Sequence, residues 1–191
     1  MAAKETPGCD FGALAPGFSL PDVRAEAGEA GGSRILSIDD CRGERGLLVM
    51  FICNHCPYVK AVLDRLLRDT HELAAVGINS VAIMSNDAAA YPADSPSNMA
   101  RLAAEKQFPF PYLYDESQDV ARAYGAVCTP DFFGYNAYLE LQYRGRIDAG
   151  VMQPPPEGAP RELFQAMAAI ASTGRGPEIQ TPSIGCSIKW R

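Results

Sequence analysis

The run Leu47-Leu48-Val49-Met50-Phe51-Ile52 constrains this chain more than any other stretch. Six apolar residues stand in a row and are closed at once by Cys53-Asn54-His55-Cys56 and then Pro57. The run is too short for a buried helix and is cut off sharply, so it reads as a strand buried on both faces. From Pro57 onward, Val59, Val62, Leu63, Leu66, Leu67, Leu73 and Ala74 fall on one helix face. Two cysteines therefore sit where a buried strand ends and a helix begins. Open α/β sheets carry their chemistry at the carboxyl ends of strands, and a helix N-terminus there favours a thiolate.

The flanking segments extend this unit. Residues 1–13 read as an N-terminal arm. Phe18, Leu20 and Val23 alternate in a short edge strand between prolines, residues 24–33 read as a turn, and Ile35–Ile38 returns as a hairpin partner. Helix 57–75 leads to a strand over Ile78–Ser85, which makes a βαβ unit with parallel strands. Residues 86–97 form a long loop at the same sheet end as Cys53, placed to wall the site. Ser97 or Asn98 is the expected cap of a helix to about Gln107, followed by an extended piece over 108–114 and a helix over 117–124. A strand from Val127 has Pro130 among its first residues and pairs with 137–144 through a turn at Gly134–Asn136. Helical spacing returns over 161–171. The last segment, 174–191, carries Ile184, Ile188 and Trp190, which predicts a tail that docks to bury them.

At 191 residues with 47% hydrophobic content, the main body, 14–173, is long enough for one well-cored domain. The net charge of −6 and the lack of a basic cluster argue against nucleic acid and against an anionic membrane surface. No apolar run reaches the ~20 residues of a membrane span. The first ten residues lack an apolar signal core, so the expectation is a cytoplasmic protein. Six cysteines are too few for a disulfide scaffold. In a reducing compartment a C-x-x-C is catalytic or metal-binding before it is structural.

The element order, with Thr129-Pro130 well downstream of Cys53-Asn54-His55-Cys56, resembles the thioredoxin fold. The opening Ala15-Pro16-Gly17-Phe18-Ser19-Leu20-Pro21-Asp22 resembles the redoxin branch, of the alkyl hydroperoxide reductase/TSA (AhpC/TSA) type. A sharper match is to a peroxiredoxin-like group carrying Phe51-Ile52-Cys53-Asn54-His55-Cys56-Pro57, Ala90-Tyr91-Pro92-Ala93-Asp94-Ser95-Pro96, Cys128-Thr129-Pro130-Asp131-Phe132-Phe133 and Gly185-Cys186-Ser187-Ile188-Lys189-Trp190. The resemblance runs from about residue 14 to the end. It implies a three-layer α/β/α domain with a central mixed sheet and an N-terminal hairpin extension. It also implies a cis Pro130 packed beside the C-x-x-C. Two departures stand out. Peroxiredoxins carry P-x-x-x-T-x-x-C, and here Gly46 and Met50 occupy the Pro and Thr positions. Thioredoxin has a Trp before its first cysteine and a buried Asp on the preceding strand, where this chain has Ile52 and Leu47.

These residues point to thiol–disulfide exchange, with Cys53 as the exposed nucleophile and Cys56 as the deeper resolving thiol. The helix end and His55 are expected to lower the Cys53 pKa. A cis Pro130 leaves the Thr129 backbone as an edge for a substrate peptide. Cys128 and Cys186 are a candidate second redox pair. The alternatives are a thiol-dependent peroxidase, with Cys53 attacking peroxide and Cys56 resolving the sulfenic acid, and a metal-binding or redox-sensing module using His55 or Cys128. One C-x-x-C supplies too few ligands for structural zinc, and the pattern is not the haem-attaching C-x-x-C-H. No cofactor is expected, and the partners are protein or small-molecule thiols and disulfides, or peroxides.

Overall fold

The computed structural model describes residues 3–24 and 34–191. The turn expected over 24–33 lies, apart from Arg24, outside the described residues. The apolar run forms β4 (Gly46–Phe51), all of whose residues are buried. Leu47, Val49 and Phe51 enter the core on one face of the sheet, and Leu48, Met50 and Ile52 the core on the other. That two-sided burial is why the strand shows no polar alternation. The helix α2 (Pro57–Ala74) crosses over to β5 (Ile78–Met84), which pairs parallel with β4. Strand β6 (Tyr112–Tyr114) continues the parallel set beside β5.

On the other flank β8 (Asp131–Asn136) runs antiparallel to β4 and turns into β9 (Leu141–Tyr143). The hairpin β2 (Ser19–Asp22) and β3 (Arg34–Ser37) joins the opposite edge through β2–β6 pairing. The mixed seven-stranded order is β3-β2-β6-β5-β4-β8-β9. Helices α2, α3 (Pro96–Glu105) and α5 (Glu162–Thr173) pack on one face, while α1 (Ile38–Cys41) and α4 (Asp119–Tyr124) serve the other. The result is a thioredoxin-like α/β/α sandwich.

Two local expectations shift. The α3 cap is Ser95, whose hydroxyl accepts from Asn98 N–H at 3.4 Å, with Pro96 at the first helical position. The β8–β9 turn lies at 137–140, because the Asn136 side chain accepts from Tyr138 and Glu140 N–H at 2.9 and 3.1 Å. Gly134 stays inside the strand, where an added Cβ would meet Met167 Sδ at 2.4 Å.

A second, three-stranded sheet lies at the carboxyl end of β4. Here β10 (Ile184–Ser187) runs between β1 (Ala3–Glu5) and β7 (Cys128–Thr129), antiparallel to both. Ile188 is buried, but Ile184 and Trp190 remain 39% and 41% exposed. Backbone pairing, more than the expected burial of Trp190, therefore holds this segment.

Candidate active site

Strand β4 delivers Cys53 to the sheet's carboxyl end, and α2 begins four residues later. Cys56 caps that helix and Pro57 takes its first position, where a missing N–H leaves nothing unpaired. The Thr129–Pro130 peptide is cis, and Thr129 touches both sulfurs. Its Oγ1 lies 3.4 Å from Cys53 Sγ, and its carbonyl accepts from Cys56 Sγ at 3.1 Å.

The loop after β5 supplies the third side, as its place at this sheet end suggested. Asp94 is fully buried there. Its carboxylate accepts from Asn54 N–H at 2.8 Å, His55 N–H at 3.3 Å, Asn86 Nδ2 at 2.8 Å and His55 Nδ1 at 2.6 Å. One acidic side chain thus fixes the turn between the cysteines. Asn54 is also held by Ala93 O and by the Tyr112 hydroxyl, each at 3.1 Å. The His55 ring stacks on Tyr91 with centroids 5.3 Å apart. Its Nδ1 lies 3.8 Å from Cys53 Sγ but is spent on Asp94. Its Nε2 is buried without a partner among the described residues.

Two expectations about Cys53 are overturned. It is 1% exposed, because the 85–95 loop, Thr129 and the C-terminal segment close over the junction. Its pKa is also raised. The thiol donates to Cys56, burial strips its solvent, and the Asp94 carboxylate repels a second negative charge. Cys56 is pushed the other way, first by accepting from Cys53; its place at the α2 N-terminus acts in the same sense.

The backbone edge of Thr129, expected to await a substrate peptide, is filled by β10. Cys186 stands opposite Thr129, and Ser187 opposite Cys128. Cys128 and Cys186 are therefore offset by one residue and belong to opposite strand faces. The Cys128 thiol donates to Pro130 O at 3.5 Å, and burial raises its pKa. Cys186 instead packs in the core cluster that holds Cys53 and Cys56. The sequence reading missed Asp94, Asn86 and Lys189 as supports. Asp94 lies inside the Ala90–Pro96 motif and Asp87 outside it, but the motif alone assigns the carboxylate no partner. Cys53 Sγ, a His55 ring nitrogen and an Asp94 oxygen lie within 4.8 Å of one another, a set able to hold a metal ion.

The AhpC/TSA family model matches residues 11–149. The chain belongs to this family. Redoxins of this kind act on thiols, disulfides or peroxides. A conserved uncharacterized protein of Geobacillus kaustophilus is similar over 100% of this AhpC/TSA chain and 97% of its own, at 42% identity and a TM-score of 0.89. A hypothetical protein of Sinorhizobium meliloti 1021 is 35% identical over 98% of both chains, with a TM-score of 0.85. The thioredoxin domain of a thiol-disulfide oxidoreductase from Bacteroides vulgatus shares the fold at 15% identity and a TM-score of 0.55, covering 70% of this chain and 86% of that one. No curated protein matches. No helix among the described residues is long and apolar enough to cross a membrane.

Proposed function

We propose that this redoxin is a thiol–disulfide oxidoreductase that cycles a Cys53–Cys56 disulfide. The observation that carries the reading is the contact of both sulfurs with Thr129, beside the cis Pro130, at a strand-to-helix junction. Oxidation removes two electrons and two protons and joins the sulfurs. A substrate disulfide accepts those electrons through a mixed disulfide, which the second cysteine resolves. The lowered Cys56 pKa favours the reduced pair, so the disulfide is the more oxidising for it. His55, Thr129 and Pro130 position the pair. A cytoplasmic setting, where thiols are kept reduced, belongs to this proposal.

The family match also supports a peroxidase reading, with Cys53 attacking peroxide. The residues around Cys53 argue against it, since Met50 stands where a Thr hydroxyl is needed and Asp94 opposes a Cys53 thiolate. The test is equilibration of the protein in glutathione redox buffers, alkylation of the remaining thiols and mass analysis, alongside peroxide consumption with a thiol recycler. A reversible Cys53–Cys56 disulfide without peroxide turnover is the expected result. Rapid peroxide consumption, abolished by Cys53→Ser, would replace the leading reading. A stoichiometric metal in protein purified without chelator, lost in Asp94→Ala, would replace both with a metal site.

A further inference from the structure

Cys186 is a buried thiol that the proposed exchange leaves unused. It is 3% exposed and shares a core cluster with Cys53 and Cys56. It stands in register with Thr129, the residue that holds both active-site sulfurs. Side chains opposite each other on antiparallel strands share a face, so Cys186 lies on the face of the Thr129 side chain, whose hydroxyl meets Cys53. Helix α2, which Cys56 caps, packs against β10.

The strand that carries Cys186 is fastened on both sides of it. Ser183 Oγ donates to Pro130 O at 2.9 Å, and Ile188 N–H to Val127 O at 3.3 Å. Lys189 N–H donates to Asn86 Oδ1 at 2.9 Å, and Asn86 in turn holds Asp94. Between these points Gly185 lies flush on the Thr129 peptide, where an added Cβ would meet Thr129 O at 2.1 Å. The chain thus lays its own cysteine-bearing strand on the edge where a substrate peptide would pair.

We propose that Cys186 is a third redox thiol, which exchanges with the active-site pair so that the chain holds two isomeric disulfides, Cys53–Cys56 and Cys56–Cys186. The proposal rests on the reading that Cys53 and Cys56 form a reversible disulfide. The step is one displacement. The Cys186 thiolate attacks Cys56 Sγ; the Cys186–Cys56 bond forms as the Cys53–Cys56 bond breaks. Cys53 leaves as a thiolate and takes up the proton that Cys186 gave up. No electrons enter or leave, so no oxidant or reductant takes part. The exchange frees Cys53 while keeping the oxidising equivalent inside the molecule, and it pins β10 over the Thr129 edge.

The test is disulfide mapping of the full chain by tandem mass spectrometry after equilibration in glutathione buffers of increasing oxidation and acid quenching. Wild type should yield both internal disulfides. Their ratio should stay constant as the buffer becomes more oxidising, because isomers differ by no electrons. Cys53→Ser should convert Cys56–Cys186 into its main internal disulfide, and Cys186→Ser should keep Cys53–Cys56. Wild type with Cys53–Cys56 but no Cys56–Cys186 at any potential would overturn the proposal and leave the oxidoreductase reading standing. Cys53→Ser that forms only glutathione adducts at Cys56, with Cys186 fully alkylated, would do the same. Absence of Cys53–Cys56 from both wild type and Cys186→Ser would overturn the oxidoreductase reading and the proposal together. The wild-type measurement needs no substitution, so a variant that misfolds does not blunt the test.

Discussion

Asp94 sets both the shape and the charge of the site. It accepts two backbone N–H groups, one amide and one imidazole nitrogen while fully buried. Its removal leaves those donors without an acceptor, and each buried orphan costs about 1–3 kcal/mol. Asp94→Ala should therefore lose on the order of 3 kcal/mol in a denaturant titration; an unchanged midpoint would contradict the assigned bonds. Asp94→Asn keeps an acceptor but removes the negative charge beside Cys53. In a Cys56→Ser background the Cys53 thiol should then titrate at lower pH, read by thiolate absorbance. Cys56 answers to Cys53 in the same way. Cys53→Ala deletes the thiol that donates to it, so the Cys56 titration should move up. A titration that stays in place would remove this hydrogen bond from the account.

Among the elements, β10 and the β8–β9 hairpin decide how the site is covered and supported. Gly185 has no room for a side chain against Thr129 O. Gly185→Val should lift β10 from the edge while leaving the central sheet intact. Cys53 and Cys56, buried as the chain stands, should then alkylate at least several-fold faster in stopped reactions with a maleimide. Labelling at the wild-type rate would mean that β10 does not shield them. On the hairpin, Arg144 pairs with buried Asp131 at 3.1 Å, lies over the Phe133 ring and donates to Gly125 O at 2.8 Å. Asp131 directly follows Pro130, so this pair anchors the far side of the Thr129–Pro130 turn. Arg144→Met leaves the carboxylate buried without its partner and should cost roughly 3–5 kcal/mol in chemical unfolding. A loss below ~1 kcal/mol would show the pair to be energetically idle.

For the whole molecule, buried thiols tie stability to alkaline pH. Burial pushes Cys41 up to about 12 and Cys186 up to about 11 and moves Cys128 up, while the hydrogen bond to Cys56 and then burial raise Cys53. The unfolded chain gives up these protons near pH ~8.5, whereas the folded chain keeps them. The unfolded state then binds fewer protons, and the slope of stability with pH is negative. The contribution of each raised thiol is fully present below pH ~8.5 and is lost as pH rises toward its folded pKa, at about 1.4 kcal/mol per pH unit. Cys56 works the other way: its lowered pKa adds stability above the unfolded value, which is lost as pH falls through the folded one. The raised thiols outnumber it. Under reducing conditions the denaturant midpoint should therefore fall between pH 8.5 and 10.5 by more than one thiol accounts for. A flat profile would mean that these thiols are not buried as neutral groups.

Local pattern was enough to place the elements near the chemistry. Six unbroken apolar residues can satisfy a short strand only if both faces are covered, and the apolar spacing after Pro57 can satisfy only a helix; the C-x-x-C had to lie between them. The 86–97 loop followed from that geometry, because a βαβ crossover returns the chain to the same sheet end. What the string does not carry is everything that depends on chain ends meeting across long separations. Cys186 lies opposite Thr129, and Asp94 holds His55, only once the sheet is assembled. Cys53 therefore read as exposed, although loop, Thr129 and tail bury it together, and its bond to Cys56, that burial and the Asp94 charge reverse the direction of its pKa. Desolvation and charge proximity are properties of what surrounds a group in space. The sequence determined that two thiols meet at a strand-to-helix junction; the tertiary structure alone decided in which direction each of their pKa values moves and that a third thiol is buried in the same core cluster.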